Sequence, residues 1–393
     1  MKALIAGGGI AGLTSAIALA RTGWQVDLFE QAQAIAEVGA GLQLGPNAMK
    51  VLHALGLGEA ARKAGLRPRA MTLRHGGNGR PIFSLPLGEA AESRWGAPYI
   101  QIHRADLVAL LLEAAEAMPG VRIHKGQRVT GYRPDGDKVL LQTGGDEFSG
   151  DLLVGADGLR SAIGAAMAGG GAPLFTGHMA WRATVPVARL SRHAPPPEAS
   201  VWIGPSRHAV TYLLRGGSLA NIVAVVERDG GSAEDWHLTG ERDDALKDFA
   251  GWHPTIRTML DEADTLYRWA LLDRKPRAQW HDGHAVLIGD AAHPMLPYLA
   301  QGAAMAIEDA WVLARCLAAP DGIADALDRY RKLRQPRTSR VQAMARTNGQ
   351  HFHQRGPVSR LVSGNILGLA GRFGANALRA QMDWLYGHDV TDG

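Results

Sequence analysis

The turn Gly7-Gly8-Gly9-Ile10-Ala11-Gly12 constrains this chain more than any other stretch, because of what flanks it. Residues 3–6, Ala-Leu-Ile-Ala, form a short apolar run of the kind that makes a buried strand. Ile10 to Arg21 follows with helical periodicity, and Trp24 to Phe29 alternates as a second strand. In the pattern G-x-G-x-x-G the first glycine makes the turn, Gly9 lets the backbone approach a pyrophosphate, and Gly12 lets helix and strand pack closely. The unpaired amides at the helix start attract the anion. Glu30 closes the second strand 18 residues after Gly12, where a carboxylate reaches an adenosine ribose hydroxyl. The spacing predicts a dinucleotide site held by Gly7, Gly9, Ile10, Ala11, Gly12 and Glu30. It does not separate FAD from NAD.

The 393 residues exceed what one core usually serves, so a second unit is expected. Pro46 to Leu55 reads as a helix with proline in its first turn and Gly56 as its stop. Residues 71–87 read as two strands around Gly76-Gly77-Asn78-Gly79, and Arg104 to Ala117 as a helix. Segments 127–133, 138–143 and 147–155 read as a β-meander. Between about 174 and 272 the pattern becomes alternating strands at 178–187, 199–204, 208–214, 219–227 and 266–272, interrupted by one helix near 243–262. An apolar strand at 284–288, a Gly/Pro-rich loop and a helix through Leu317 follow. Beyond 323 the chain is helical and arginine-rich up to Pro357. The expected fold is α/β: a discontinuous Rossmann-like domain from 1–70, 98–173 and 278–322, an antiparallel-sheet domain from 71–97 and 174–277, and a helical C-terminal region, 323–393.

The net charge of +4 comes from 42 basic and 38 acidic residues that are interspersed, which excludes a nucleic-acid arm. Met1-Lys2 leads directly into the first strand, so a cytoplasmic location without a signal peptide is expected. No apolar run reaches the ~18 residues of a membrane span, although 361–378, rich in Leu, Gly and Ala, suits a partner surface. Cys316, the single cysteine, reads as a small buried hydrophobe. The 15 histidines are scattered, C-x-x-C and H-E-x-x-H are missing, and His351-Phe352-His353 is too short for a ligand set, so no metal is expected.

Two further segments extend the reading. Asp151-Leu152-Leu153-Val154-Gly155-Ala156-Asp157-Gly158-Leu159-Arg160-Ser161 and Gly289-Asp290-Ala291-Ala292-His293-Pro294 resemble the second and third fingerprints of the flavoprotein aromatic hydroxylases. The segments 39–47, 102–107 and 300–310 look most like the single-component hydroxylases of salicylate, 3-hydroxybenzoate and 6-hydroxynicotinate. The resemblance covers nearly the whole chain. It implies a three-fingerprint FAD-binding Rossmann-like domain and NADH or NADPH as reductant. Dioxygen and a small aromatic acid or phenol are the other substrates, hydroxylated by way of a flavin C4a-hydroperoxide, and a monomer or homodimer is expected. A hydroxylase of a lipophilic quinone precursor and a flavin protein that binds aromatics without hydroxylating them are the alternatives.

The resemblance also implies roles. Asp290 accepts hydrogen bonds from the ribityl chain, and Gly302-Ala303 opens a helix whose positive end faces the flavin pyrimidine edge. Gly41, Arg104 and Asp157 join the cofactor site. The second fingerprint usually continues to an arginine where this chain has Gly164. For the substrate, residues four apart in Arg207-His208-Ala209-Val210-Thr211-Tyr212 share one strand face, so His208 and Tyr212 can reach the same pocket wall or simply pack on a half-buried sheet. The resemblance makes them a phenol-binding, proton-accepting pair, a task that suits a histidine. Arg182 and Arg207 are candidates to hold a carboxylate in bidentate fashion. Pro294 and Pro297 are expected to shape the wall on the flavin face. Tyr298 stands where 3-hydroxybenzoate hydroxylases carry Gln-Tyr and hydroxynicotinate enzymes Pro-His, and Gln43 where the latter carry histidine.

Overall fold

A computed structural model describes residues 1–35, 41–167, 171–228, 238–353 and 375–392. Its first sheet runs, from one edge, through His281–Asp282, Ala285–Leu287, Leu152–Gly155, Lys2–Ala6, Gln25–Glu30 and Val121–Lys125. All pairs are parallel except the edge pair of His281–Asp282 with Ala285–Leu287. Parallel strands need crossover connections that cover both faces, which is why Ala3–Ala6 and Leu152–Val154 are wholly buried apolar runs. Helix Ile10–Arg21 packs against the sheet and against helix Gly302–Ala318, burying Leu13, Ala16 and Ile17 in the same core as Met305 and Ile307.

The predicted meander holds for its first two strands, Val129–Asp135 and Lys138–Thr143, but the third divides. Glu147–Gly150 stays in the meander, whereas Leu152–Gly155 turns into the parallel sheet. At the division the Asp151 carboxylate accepts the backbone N–H of Lys2 at 2.6 Å. The helix expected near 243–262 is two, Arg242–Asp248 and Pro254–Asp261, because Gly251 takes a positive φ and Pro254 opens a new first turn.

The large sheet has eight strands in the order Leu238–Thr239, Tyr267–Asp273, Leu174–Pro186, Leu219–Glu227, Arg207–Leu214, Ala199–Gly204, Ala70–His75 and Pro81–Pro86. It is antiparallel except between Ala199–Gly204 and Ala70–His75, which pair in parallel. One face lies under the two short helices, with Trp181, Trp202, Phe249 and Ile256 between the layers. The opposite face meets Leu296, Tyr298 and Ala345.

The arginine-rich tail forms the 30-residue helix Ile323–Phe352. Its Arg334 does not project into water as a charged helix surface would: it is 1% exposed and bonds Asp309 and Glu308 of helix Gly302–Ala318 at 2.7 and 2.6 Å. Among the described residues no helix is long and apolar enough to cross a membrane. Gly39, Ala40 and the stretch 361–374 lie outside the described residues.

Candidate active site

The nucleotide turn has the steric character its glycines demand. Gly7 adopts φ +103, and a Cβ there would lie 2.5 Å from the Ala156 carbonyl oxygen; at Gly12 it would lie 1.9 Å from the carbonyl oxygen of Gly7. At Gly9, the residue before Ile10–Arg21, a Cβ would meet nothing within 4 Å. The two outer glycines are therefore required by the chain itself, and the middle one faces open space above a helix N-terminus, as a pyrophosphate site needs. Ile10 and Ala11 begin that helix. The Glu30 carboxylate is held beside them by the amides of Gly8 and Ala32 at 2.7 and 2.8 Å.

A second helix start converges on the same region. Gly289 takes φ +55, where a side chain would press on Ala11 and Ala306, so the Gly289-Asp290 turn is wedged between helices Ile10–Arg21 and Gly302–Ala318. Asp290 keeps an exposed side chain there. Surrounding protein raises its carboxyl above the ordinary value, while His293 and Arg104 oppose the rise. Arg104 opens helix Arg104–Glu116. Ala300, at φ +51, turns the chain into the helix that Gly302 and Ala303 begin. These features fit FAD: room at Gly9, carboxylates at Glu30 and Asp290, a cation at Arg104 and two helix N-termini for negative charge.

Asp290→Ala is expected to be purified with little or no flavin, read as FAD per chain; a variant as yellow as the parent refutes the assignment. Glu30→Ala should weaken FAD binding by roughly 1–3 kcal/mol, since a ribose hydroxyl loses its acceptor. Titration of apoprotein with FAD checks this, and an unchanged Kd rules it out.

Asp157 does less than its fingerprint suggests. Its carboxylate accepts the Ser161 hydroxyl and, at 3.2 Å, the Ile163 amide, closing the start of helix Ala162–Ala166. Beside Gly164, the place of the family's arginine, the Arg277 guanidinium arrives from elsewhere in the chain. Its Nη1 is 3.5 Å from where a Cβ would lie, and Nη2 donates to the Met167 carbonyl at 2.8 Å.

On the large sheet, His208 and Tyr212 do share a face, and both are buried. Cross-strand pairing defines three rows on that face. Ala180, Val225 and His208 form one; Arg182, Val223 and Val210 the next; Thr184, Asn221 and Tyr212 the third. The outer rows are buried apart from half-buried Thr184, whereas all three residues of the middle row are partly exposed. At ~3.3 Å per residue His208 and Tyr212 stand about 13 Å apart. They flank the open row and do not touch one shared proton. Arg182 lies in the row, stacked on Trp269 with its guanidinium carbon 3.9 Å from the ring. Tyr212 packs under the Gly41 backbone, where a Cβ would be 2.4 Å from its ring, and Asn221 Oδ1 accepts the Gly41 amide at 2.8 Å.

Arg207, expected as a carboxylate ligand, is not placed to be one. As the neighbour of His208 it points to the other face, and it donates there to the carbonyls of Asp248 and Pro205. It ties the strand to helix Arg242–Asp248 and stays away from the open row. Pro297 begins the turn Pro297–Leu299, Pro294 accepts Gln342 Nε2 at 2.7 Å through its carbonyl, and Tyr298 is buried with its hydroxyl on His178 Nδ1.

Around Tyr298 the structure assembles residues that sequence reasoning missed. His208 Nδ1 is 2.6 Å from His353 Nε2, and His353 Nδ1 is 3.2 Å from Glu227 Oε1. The His178 ring is 4.5 Å from that of His353. Ligand atoms of His178, Glu227 and His353 lie within 4.8 Å of one another, the one group among the described residues whose spacing could hold a metal ion, and the sequence, in which the histidines are scattered, did not bring them together. Strand alternation from Arg182 and Val223 would have put His178 and Glu227 on the pocket face. No local signal brings His353 there. Burial, reinforced by the neighbouring His353 and His178, holds the His208 imidazole well below its ordinary value, and it is therefore neutral at pH 7. Burial likewise pushes the Tyr212 and Tyr298 phenols up.

Comparison with known proteins gives this geometry a context. The family described as FAD binding domain matches residues 1–345. A 3-hydroxybenzoate 6-hydroxylase of Klebsiella oxytoca is 38% identical over 98% of this chain and 96% of its own. A 6-hydroxynicotinate 3-monooxygenase of Pseudomonas fluorescens is 35% identical over 88% and 90%. Among solved structures, Klebsiella pneumoniae HpxO complexed with FAD and uric acid superimposes with a TM-score of 0.84 at 27% identity, covering 96% of this chain and 95% of that one. A salicylate hydroxylase substrate complex does so with 0.82 at 27%, covering 100% and 96%.

Proposed function

The chain belongs to the FAD binding domain family and is an FAD-dependent aromatic monooxygenase that uses NADH or NADPH, and from that premise we propose that it hydroxylates a small phenolic acid lying on the row Arg182, Val223 and Val210 of the large sheet. The observation that carries the reading is the partial exposure of this row between two mostly buried ones that hold His208 and Tyr212.

When bound, the cofactor supplies the redox chemistry, taking hydride from the nicotinamide and delivering one oxygen atom of dioxygen to the ring. The chain's own residues do the rest. Gly7, Gly9, Ile10, Ala11, Gly12 and Glu30 hold the adenosine and pyrophosphate end. Asp290 and Arg104 hold the ribityl and phosphate groups, with Gly41 and Asp157 at the edges of the site. The helix starting at Gly302 and Ala303 directs positive potential at the place where negative charge develops.

Val210 and Val223 form an apolar floor for the aromatic ring. Arg182 takes the carboxylate, its plane held by Trp269, and this pairing favours phenolic acids over plain phenols. His208, neutral in this burial, accepts the phenolic proton and makes the ring electron-rich. Tyr212 orients the ring from the other side. Tyr298, Pro294 and Pro297 close the wall and exclude water.

Stopped-flow flavin reduction across a panel of phenolic acids, with and without each ligand, tests the reading. A substrate accelerates reduction and yields hydroxylated product. A panel that binds without accelerating reduction, or that yields only peroxide, overturns it.

A further inference from the structure

Two tyrosines from distant parts of the chain grip the short strand Gly41–Leu44. At its start the Tyr212 ring fills the space of a missing side chain, 2.4 Å from where a Gly41 Cβ would lie. Just past its end the Tyr386 ring does the same at Gly45, 2.8 Å from the Cβ position. Tyr212 flanks the open row of the large sheet, whereas Tyr386 ends the C-terminal helix Ala375–Tyr386. The geometry points to Tyr386 as a positioning residue for hydroxylation: seated against Gly45 and Tyr99, it fixes the strand that holds Tyr212 beside the substrate. The role rests on the phenolic-acid reading of that row.

The contacts run from the tail to the row without a gap. The Tyr386 ring meets Tyr99 edge-on, with centroids 5.7 Å apart and an interplanar angle of 88°, and meets Trp95 at 5.0 Å. Tyr99 donates its hydroxyl to Gln43 Oε1 at 2.5 Å, in the middle of the strand. Burial holds the Tyr99 phenol far above its ordinary value, so it remains a donor at neutral pH. The Gly41 amide donates to Asn221 Oδ1 at 2.8 Å, and Asn221 pairs across the sheet with Tyr212.

The tail is anchored on both sides of Tyr386. Asp383 accepts Arg94 Nε and Trp95 Nε1 at 2.7 and 2.8 Å. Arg337 donates to the carbonyls of Trp384 and Leu385 at 2.9 and 3.0 Å, and Lys50 Nζ to that of Gly387 at 3.0 Å. A ring held this way passes its position on, because a closely packed interior gives little before a neighbour must move. It meets the chain at a glycine, where no side chain can absorb a shift. The polar anchors are enough to dock the helix; the Tyr386 ring adds the inward contact.

The test uses the FAD-loaded full chain, with FAD content and melting temperature recorded for every variant. Tyr386→Leu should raise KM for the best panel substrate roughly three- to tenfold, the range set by one aromatic pair. Peroxide released per nicotinamide should rise, while flavin reduction at saturating substrate stays within about twofold of the parent. Hydrogen–deuterium exchange of segment 41–44 should accelerate, a change that a tail stabilising only itself would not cause. Tyr386→Phe keeps the ring and should match the parent. Gln43→Leu breaks the same line at the Tyr99 bond without touching the tail, and it serves as the second variant should Tyr386→Leu lose FAD. It should raise KM in the same way, and the double variant should be no worse than the worse single one, since both act through one strand. Trp384→Leu removes the stacking on Arg340 and should lower the melting temperature alone. The role is overturned if Tyr386→Leu and Gln43→Leu keep parental KM and exchange, if Tyr386→Phe behaves as Tyr386→Leu, or if Trp384→Leu raises KM as much. A parent that hydroxylates no phenolic acid overturns the substrate reading and this role with it. A parent that does, with parental variants, overturns the role alone.

Discussion

His208→Gln is expected to slow ring hydroxylation by about 10²-fold, within the ~10²–10⁴ that positioned acid–base groups contribute, with Tyr212→Phe showing a similar loss. The expectation follows from their places on either side of the partly exposed row, about 13 Å apart at ~3.3 Å per residue. His208 removes the proton that makes the ring nucleophilic, and Tyr212 holds the ring where that proton meets His208. Neither acts on hydride transfer, so flavin reduction should persist and electrons should leak to hydrogen peroxide. The measurement is product formed against peroxide released per nicotinamide consumed. The two variants should also differ. Tyr212→Phe, losing orientation, should raise KM as well as lower kcat, whereas His208→Gln should act mainly on kcat. Parental coupling in both would mean that the two side chains are only core.

Arg334→Leu should destabilise the folded protein by about 3–5 kcal/mol, the cost of leaving buried carboxylates without their partner. Arg334 bonds Asp309 and Glu308, all three essentially unexposed. Asp309 also accepts the Gly289 amide at 3.0 Å and the His293 ring, and Glu308 accepts Asn47 Nδ2 at 2.7 Å. The cluster therefore clamps the Gly289–Pro294 loop that presents Asp290, and the variant should lose FAD as well as stability. Burial pushes both carboxyls up. The positive partners outweigh it, Arg334 and Arg337 at Glu308 and His293 and Arg334 at Asp309, and each ends at about 2. A carboxyl depressed in the folded state contributes its full stability above its ordinary value and loses it as pH falls toward the folded one. The parent should thus lose this contribution between about pH 5 and pH 2. Arg334→Leu should unfold at a distinctly higher pH on acidification. Acid titration followed by circular dichroism reads the difference, and coincident curves would show that the cluster adds nothing.

Arg334 also marks the limit of what the amino-acid order reveals. A helix from about 323 was legible because its periodicity is a property of neighbours in the chain. That helix is arginine-rich, and nothing local told its solvated arginines from the one that enters the core. Arg182 and Arg207 make the same point on the sheet. Both were candidates for a carboxylate, and although alternation sets Arg207 on the face opposite His208, nothing local says which face holds the open row. Which face packs under helices Arg242–Asp248 and Pro254–Asp261 and which meets Leu296, Tyr298 and Ala345 was decided by packing.

What the sequence determined by itself was the strand–turn–helix with its glycines, the three fingerprints in order and the shared face of His208 and Tyr212. These rest on steric demands and periodicities that act within a few residues. Gly12 must be glycine because its own chain leaves 1.9 Å for a side chain. Only the tertiary structure decided that His353 stands between His208 and Glu227, that Arg277 comes to the side of Gly164, and that Asp309 holds the Asp290 turn. Those contacts join residues from 20 to 145 positions apart. Their existence depends on how separate elements bury their apolar faces together, and no short-range pattern encodes that.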